Sequence, residues 1–382
     1  MSENALRNII NDLRSNVALL YRLLSNIRPL NEKITGLVRK FTHKLSDIEH
    51  DLNLISELCE TYLVRLKETP SAYKELYTRI LYQLQGYKRD TYLISEIYEI
   101  LLFHTRMCES KDLSDYIALA GKYVDKIAEE IEVPANYLFF TTLRDCYSSL
   151  SIHVTKTHIT MLPLSDLYNP AKWILLSHEF GHLYFQTHKN DILVETLPLI
   201  EEKLRETLVE KSSRLEKIKE NKELWSEFWL EELVSDIIGV SLGGPAYLKM
   251  LILETCDYNP VATHDIAHPP LDARAFTQIR YLEHVGAPSE LVSRMKEEWK
   301  AFRNGISEES PLQEAFNEDL LNAIAQKLTE FIPHPFIVTK WNHIKRIISK
   351  IPKVKEDIRL VIPAVALAEV RVKPLDIIKA VR

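Results

Sequence analysis

The chain has 382 residues, 46% hydrophobic and 27% charged, an ordinary balance for a folded globular protein. Nine glycines in that length fall well below the usual ~7%, which argues against a turn-rich β protein and for helices. A net charge of −6 without any long basic stripe gives no electrostatic case for nucleic acid as a partner.

Residues 1 to 132 read as one helix after another. Ile9, Leu13, Val17, Leu20, Leu24 and Ile27 recur at spacings of three and four, the signature of an amphipathic helix. Pro29 interrupts, and the stripe resumes with Ile34, Leu37, Phe41, Leu45, Ile48, Leu52 and Ile55. A third helix opens at Ser71 after Pro70, and a fourth at Ser114. An antiparallel bundle with an apolar seam accounts for this pattern, and a partner-binding coiled coil would give the same one. The four cysteines, Cys59, Cys108, Cys146 and Cys256, form no close pair, which suits reduced thiols. The opening MSENALRNII lacks the regions of a signal peptide, and no run nears the ~18 apolar residues of a membrane span. The expectation is a cytoplasmic protein with no membrane partner.

VPANY, from Val133, marks a boundary. Beyond it Ile152 and Val154, then Ile159 and Met161, alternate with polar residues around Lys156-Thr157, as in a short hairpin. Pro163 suits a sheet edge or a strand end. Thr157 to Leu162 fits an edge strand beside an active-site helix, where main-chain pairing would bind an extended peptide. The next helix starts with Asn169 as N-cap and Pro170 at the first helical position. A charged helix spans 195 to 223, and another runs from about Leu224 to Ser241, stopped by Gly243-Gly244-Pro245. The rest, from about residue 275, is helical again, with a turn at IPHPF. The fold class expected is mostly α (α+β): a helical bundle over 1–132, a core with a small sheet over 133–300, and a helical region packing on it over 301–382.

The helix after Pro170 carries SHEFGH. His178 and His182 are four residues apart, so on a helix both imidazoles leave one face and can reach one ion. Glu179 stands beside them, placed to act as general base on water rather than as a ligand. Two histidines and a glutamate between WILL and LYF would be costly without a partner. Gly181 costs roughly 1 kcal/mol in a helix interior, which makes sense where another backbone or a substrate comes close. A catalytic zinc then needs a third protein ligand. Glu232 supplies it in WLEELVSDIIGV, and Asp236, four residues on, can accept the free ring N–H of His178.

HEFGH followed by EELVSD resembles the gluzincin metallopeptidases, of which thermolysin is the type. The resemblance covers only the two motif helices. It implies a zincin-like core in which His178, His182 and Glu232 hold Zn2+, Glu179 is the base and Asp236 orients a ligand. Two departures stand out: Glu231 replaces an Asn, and the segment between the two motifs is much longer than in thermolysin. HPPLDAR, from His268, is similar to the H-P-P-x-x-x-R segment of the CAAX-processing type of zinc peptidase, without that family's membrane spans. A positive donor aimed at the developing oxyanion is needed for catalysis, and His268 or Arg274 is the candidate, with His264 a third. The function expected is zinc-dependent hydrolysis of a peptide or unfolded protein. The alternatives are a regulator that keeps a zincin fold and a helical scaffold with structural zinc. Structural zinc sites usually close with four protein ligands, often Cys, and no cysteine lies near these motifs.

Overall fold

A computed structural model of the chain describes residues 3–28, 31–63, 69–111, 113–133, 137–144, 147–152, 156–207, 214–255, 266–303, 314–332, 335–348 and 356–368. The protein is mostly helical, with one small three-stranded sheet. It divides into two compact units. The first comprises residues 1–114, 136–142 and 150–159, and the second residues 115–135, 143–149 and 160–382.

The first unit is built on α1 (Glu3–Ser25), α2 (Glu32–Leu58) and α3 (Pro70–Glu109). Asn31 caps α2, its side chain accepting from the Ile34 amide at 2.9 Å. The buried face of α2 is Ile34, Leu37, Phe41, Leu45, Ile48, Leu52 and Ile55, the stripe that the sequence spacing predicts. It packs with Leu6, Ile10, Leu13, Val17, Leu20 and Leu24 of α1, and both helices meet α3. Each such side chain contributes about 1.5–3 kcal/mol on burial, so the seam, rather than intrinsic helix propensity, holds the bundle.

Strand β1 (Tyr137–Thr142) packs on α3 through His104. The His104 Nδ1 accepts from the Thr141 amide at 3.1 Å, which places the ring proton on Nε2, 3.5 Å from the Cys108 sulfur. Burial pulls the His104 pKa down to about 4. A histidine that is neutral when folded but titrates normally when unfolded stabilises the fold fully above ~6.5. That contribution is lost as pH falls from ~6.5 towards 4, by roughly 3 kcal/mol in all. The expected result is an imidazole that stays neutral to below pH 5 in a ring-nitrogen NMR titration. A midpoint near 6.5 would show that the ring is not held in this way.

Strands β2 (Ser148–Ile152) and β3 (Thr157–Pro163) complete the sheet, in the order β1-β3-β2. Lys156, at the turn into β3, has a positive φ of 51°. Pro163 ends its strand, as expected. The edge-strand expectation for Thr157–Leu162 is overturned. β3 is the central strand, so its backbone groups are spent on both neighbours and cannot pair with a substrate. Alternation in the sequence suggested one wet face, but Thr157, His158 and Thr160 are buried as well as Ile159 and Met161.

The second unit contains α4 (Ser114–Glu130), α5 (Leu176–Thr207), α6 (Arg214–Leu224), α7 (Leu230–Gly243) and α8 (Pro245–Thr255). It continues with α9 (Leu271–His284), α10 (Ser289–Arg303), α11 (Glu318–Leu328), α12 (Phe336–Ile348) and α13 (Ile358–Leu367). Two local features differ from expectation. Asn169 makes no side-chain cap, and Pro170–Leu175 is a 3₁₀ segment that leads into α5. The α5 helix then runs through Pro198 into the charged stretch instead of ending before it. At the centre of the unit lies α7, which is buried along nearly its whole length and packed by α5, α8, α9 and α12. Its end is set by Gly244 at φ 54°, a conformation L side chains rarely adopt. Among the described residues, no helix is long and apolar enough to cross a membrane.

Candidate metal centre

The centre forms where α5 crosses α7. Gly181 makes that crossing possible: a Cβ built on it would stand 2.3 Å from the Ser235 Cα. The close backbone approach that the helix-interior glycine implied is therefore to α7. Entry into α7 is through a π-helical turn, Trp225–Trp229, closed by the Leu230 amide on the Trp225 carbonyl. Trp225 and Trp229 are fully buried and pack against Phe316, which fixes the register at which Glu231 and Glu232 emerge.

The structure brings together His178, His182 and Glu232, whose ligand atoms all lie within 4.8 Å of one another. The group could hold a metal ion. The His178 Nε2 is 3.4 Å from Glu232 Oε2, and the His182 Nε2 is 3.6 Å from Glu232 Oε1. These distances exceed a good N–H···O hydrogen bond, 2.7–3.2 Å. They match the roughly 3.4 Å between donors that each sit about 2.1 Å from one tetrahedral cation. Glu232 Oε2 is buried and makes no hydrogen bond among the described residues, a costly state that a cation would relieve.

The outer nitrogens explain why the inner ones are available. The His178 Nδ1 lies 3.1 Å from Asp236 Oδ1, and the His182 Nδ1 lies 3.1 Å from Glu231 Oε1. An ionised carboxylate only accepts, so both Nδ1 atoms carry a proton, and each Nε2 presents its lone pair to an ion once the ring has given up the second proton. Asp236 pairs with His178, as the spacing of the sequence motifs implied. Glu231, the departure from the thermolysin pattern, serves His182 in the same way and also accepts from the Gln186 amide. The Tyr247 hydroxyl donates to Asp236 Oδ1 at 2.6 Å, its ring lying over Gly239, where a Cβ would meet it at 2.4 Å.

Burial opposes charge on His178, Glu232 and Asp236, but their partners outweigh it. For His178, desolvation lowers the pKa, yet the hydrogen bond to Asp236 and the nearby Glu232 carboxylate hold it up to about 10. Burial pushes Glu232 up, while His178, Arg274 and His182 hold it down to about 2. Asp236 is likewise kept far below the ordinary carboxylate range, chiefly by Arg274 working against burial. The carboxylates are therefore ready to meet a cation, and binding one displaces a proton from the histidine.

Glu179 is 6% exposed, sits beside His178 on α5 and makes no hydrogen bond among the described residues. Its charge is felt by His182 and by the buried Tyr147 hydroxyl. Arg274, on α9, is almost fully buried, with its Nε and Nη2 on Asp236 at 2.7 Å each. His268 is half-buried, just ahead of α9, and His264 lies outside the described residues. Sequence reasoning missed the parts played by Glu231 and Tyr247. Glu231 adjoins a motif residue and carried a signal in its departure from Asn, whereas Tyr247 comes from the next helix and carried none. No protein-family model matches the chain, and no curated protein or solved structure is significantly similar to it.

Proposed function

We propose that the chain is a zinc-dependent peptidase acting on peptides or unfolded proteins. One observation carries the reading: two imidazole Nε2 atoms face the two oxygens of the buried Glu232 carboxylate, one of which makes no hydrogen bond among the described residues, with the buried Glu179 next to His178 on the same helix. Two nitrogens and one oxygen are the ligand set of a catalytic zinc, and with no fourth protein ligand among the described residues a position is left for water. A zinc ion held there would lower the pKa of water towards ~7 and polarise the substrate carbonyl.

The chain's own residues do the rest. Glu179 takes the proton of the attacking water and returns it to the leaving amine. Asp236 and Glu231 keep the two imidazoles in the tautomer that can bind an ion. With the Nε and Nη2 of Arg274 on Asp236, His268 and His264 are the other candidates for the oxyanion donor.

The test is metal analysis of the purified protein together with a peptide-library cleavage assay. One zinc per chain and metal-dependent cleavage are expected, and His178→Ala should lose most of the metal. Full zinc occupancy in that variant would refute the ligand assignment. Zinc without cleavage of any peptide would point to a regulator that keeps the site.

A further inference from the structure

Glu232 and Asp236 stand one turn apart on α7, and both are buried. Two carboxylates at that spacing repel each other, and burial makes each more costly. Among the described residues, a single Lys or Arg side chain contacts either of them, and it comes from α9. The Arg274 Nε donates to Asp236 Oδ2 and its Nη2 to Asp236 Oδ1, both at 2.7 Å. The same Nη2 is 3.5 Å from Glu232 Oε2, the oxygen without a hydrogen bond. At 3% exposure the guanidinium is sealed off from solvent.

We propose that Arg274 is a positioning residue of the metal centre: its fork on Asp236 and its remaining edge towards Glu232 hold both carboxylates in the orientation that completes the ligand set. The inference rests on the metal-binding part of the proposed function and not on peptidase activity. Arg274 suits this work because a planar guanidinium binds a carboxylate along two parallel bonds, fixing direction as well as distance. It joins α9 to α7, and through Asp236 it reaches His178 on α5. Three helices are thus tied to one ligand set through a single buried side chain.

The proposal predicts a sign that simple electrostatics does not. A positive charge this close to a cation site repels the ion, so by Coulomb's law alone its removal tightens binding. A positioning residue does the opposite, because its loss lets Glu232 and Asp236 move and takes the third ligand and the His178 partner out of place. The experiment is a zinc titration of the full chain, stripped of metal, against a competing chelator, for the wild type, R274Q and R274K. R274Q is expected to bind zinc about 10–100-fold more weakly, the usual effect of losing a partner behind the ligands. R274K should recover part of the loss. The cobalt(II) form of R274Q should lose visible absorption relative to the wild type as the ligand set opens.

Zinc affinity in R274Q equal to or tighter than the wild type overturns the inference. Should R274Q fail to fold with Asp236 left unpaired, the comparison moves to D236N and R274Q/D236N. A double variant no tighter than D236N supports positioning, and one that binds more tightly shows repulsion alone and overturns it. Wild-type protein that takes up no divalent ion overturns the metal reading and this inference together. A wild type that binds zinc yet cleaves no peptide overturns the peptidase reading, and the titration still decides the role of Arg274.

Discussion

Glu179→Gln is expected to fold, keep its metal and lose peptide hydrolysis by about 10²–10⁴-fold, the usual contribution of a general base. The side chain is 6% exposed and the replacement is isosteric, so the packing of α5 is undisturbed. Glu179 is not one of the three grouped ligands, so affinity for the ion has no reason to fall. What the amide cannot do is accept a proton from water. Glu179 also makes no hydrogen bond among the described residues, so the variant breaks no structural contact that would cloud the result. The measurement is steady-state cleavage of a peptide found in the library assay, with zinc content and thermal stability taken in parallel. Unchanged turnover would falsify the mechanism even if the metal is present.

Gly181→Ala is expected to destabilise the second unit by about 3 kcal/mol, the upper range for overpacking, and to weaken metal binding with it. The added Cβ would lie 2.3 Å from the Ser235 Cα and 2.9 Å from its carbonyl oxygen. Both are main-chain atoms of α7, so no side-chain rotation relieves the clash and the two helices have to separate. Separation moves His178 and His182 away from Glu232, since the three come from the two sides of that crossing. Alanine's better helix propensity returns only about 1 kcal/mol. Gly36→Ala is the control. It changes a glycine inside α2 with nothing within 4 Å of the added Cβ, and should stabilise by about 0.5–1 kcal/mol. Equal effects at both sites in a urea titration would mean that the close helix crossing does not exist.

The sequence by itself determined whatever depends on spacing within one helix. The seven-residue stripe of α2 was legible because burial follows the 3.6-residue period. His178 with His182, and Glu232 with Asp236, could each be assigned to one helix face because four residues make about one turn. Gly181 announced a close approach because it costs stability where it stands. Tertiary structure alone decided what meets across elements. Only the α5–α7 crossing brings Glu232 to the histidines, and the long chain between the two motifs leaves no periodic trace of it. The central place of β3 depends on β1, which pairs with it from a separate stretch of chain. Alternation reports which face is apolar and not how many neighbours a strand has. Arg274 offered the sequence a charge and a motif position, from which an oxyanion donor was a reasonable expectation. Its direction is set by the packing of α9 against α7, which turns the guanidinium onto Asp236. Local spacing encodes which face a residue occupies, while long-range packing chooses its partner, and the chemistry of this centre depends on both.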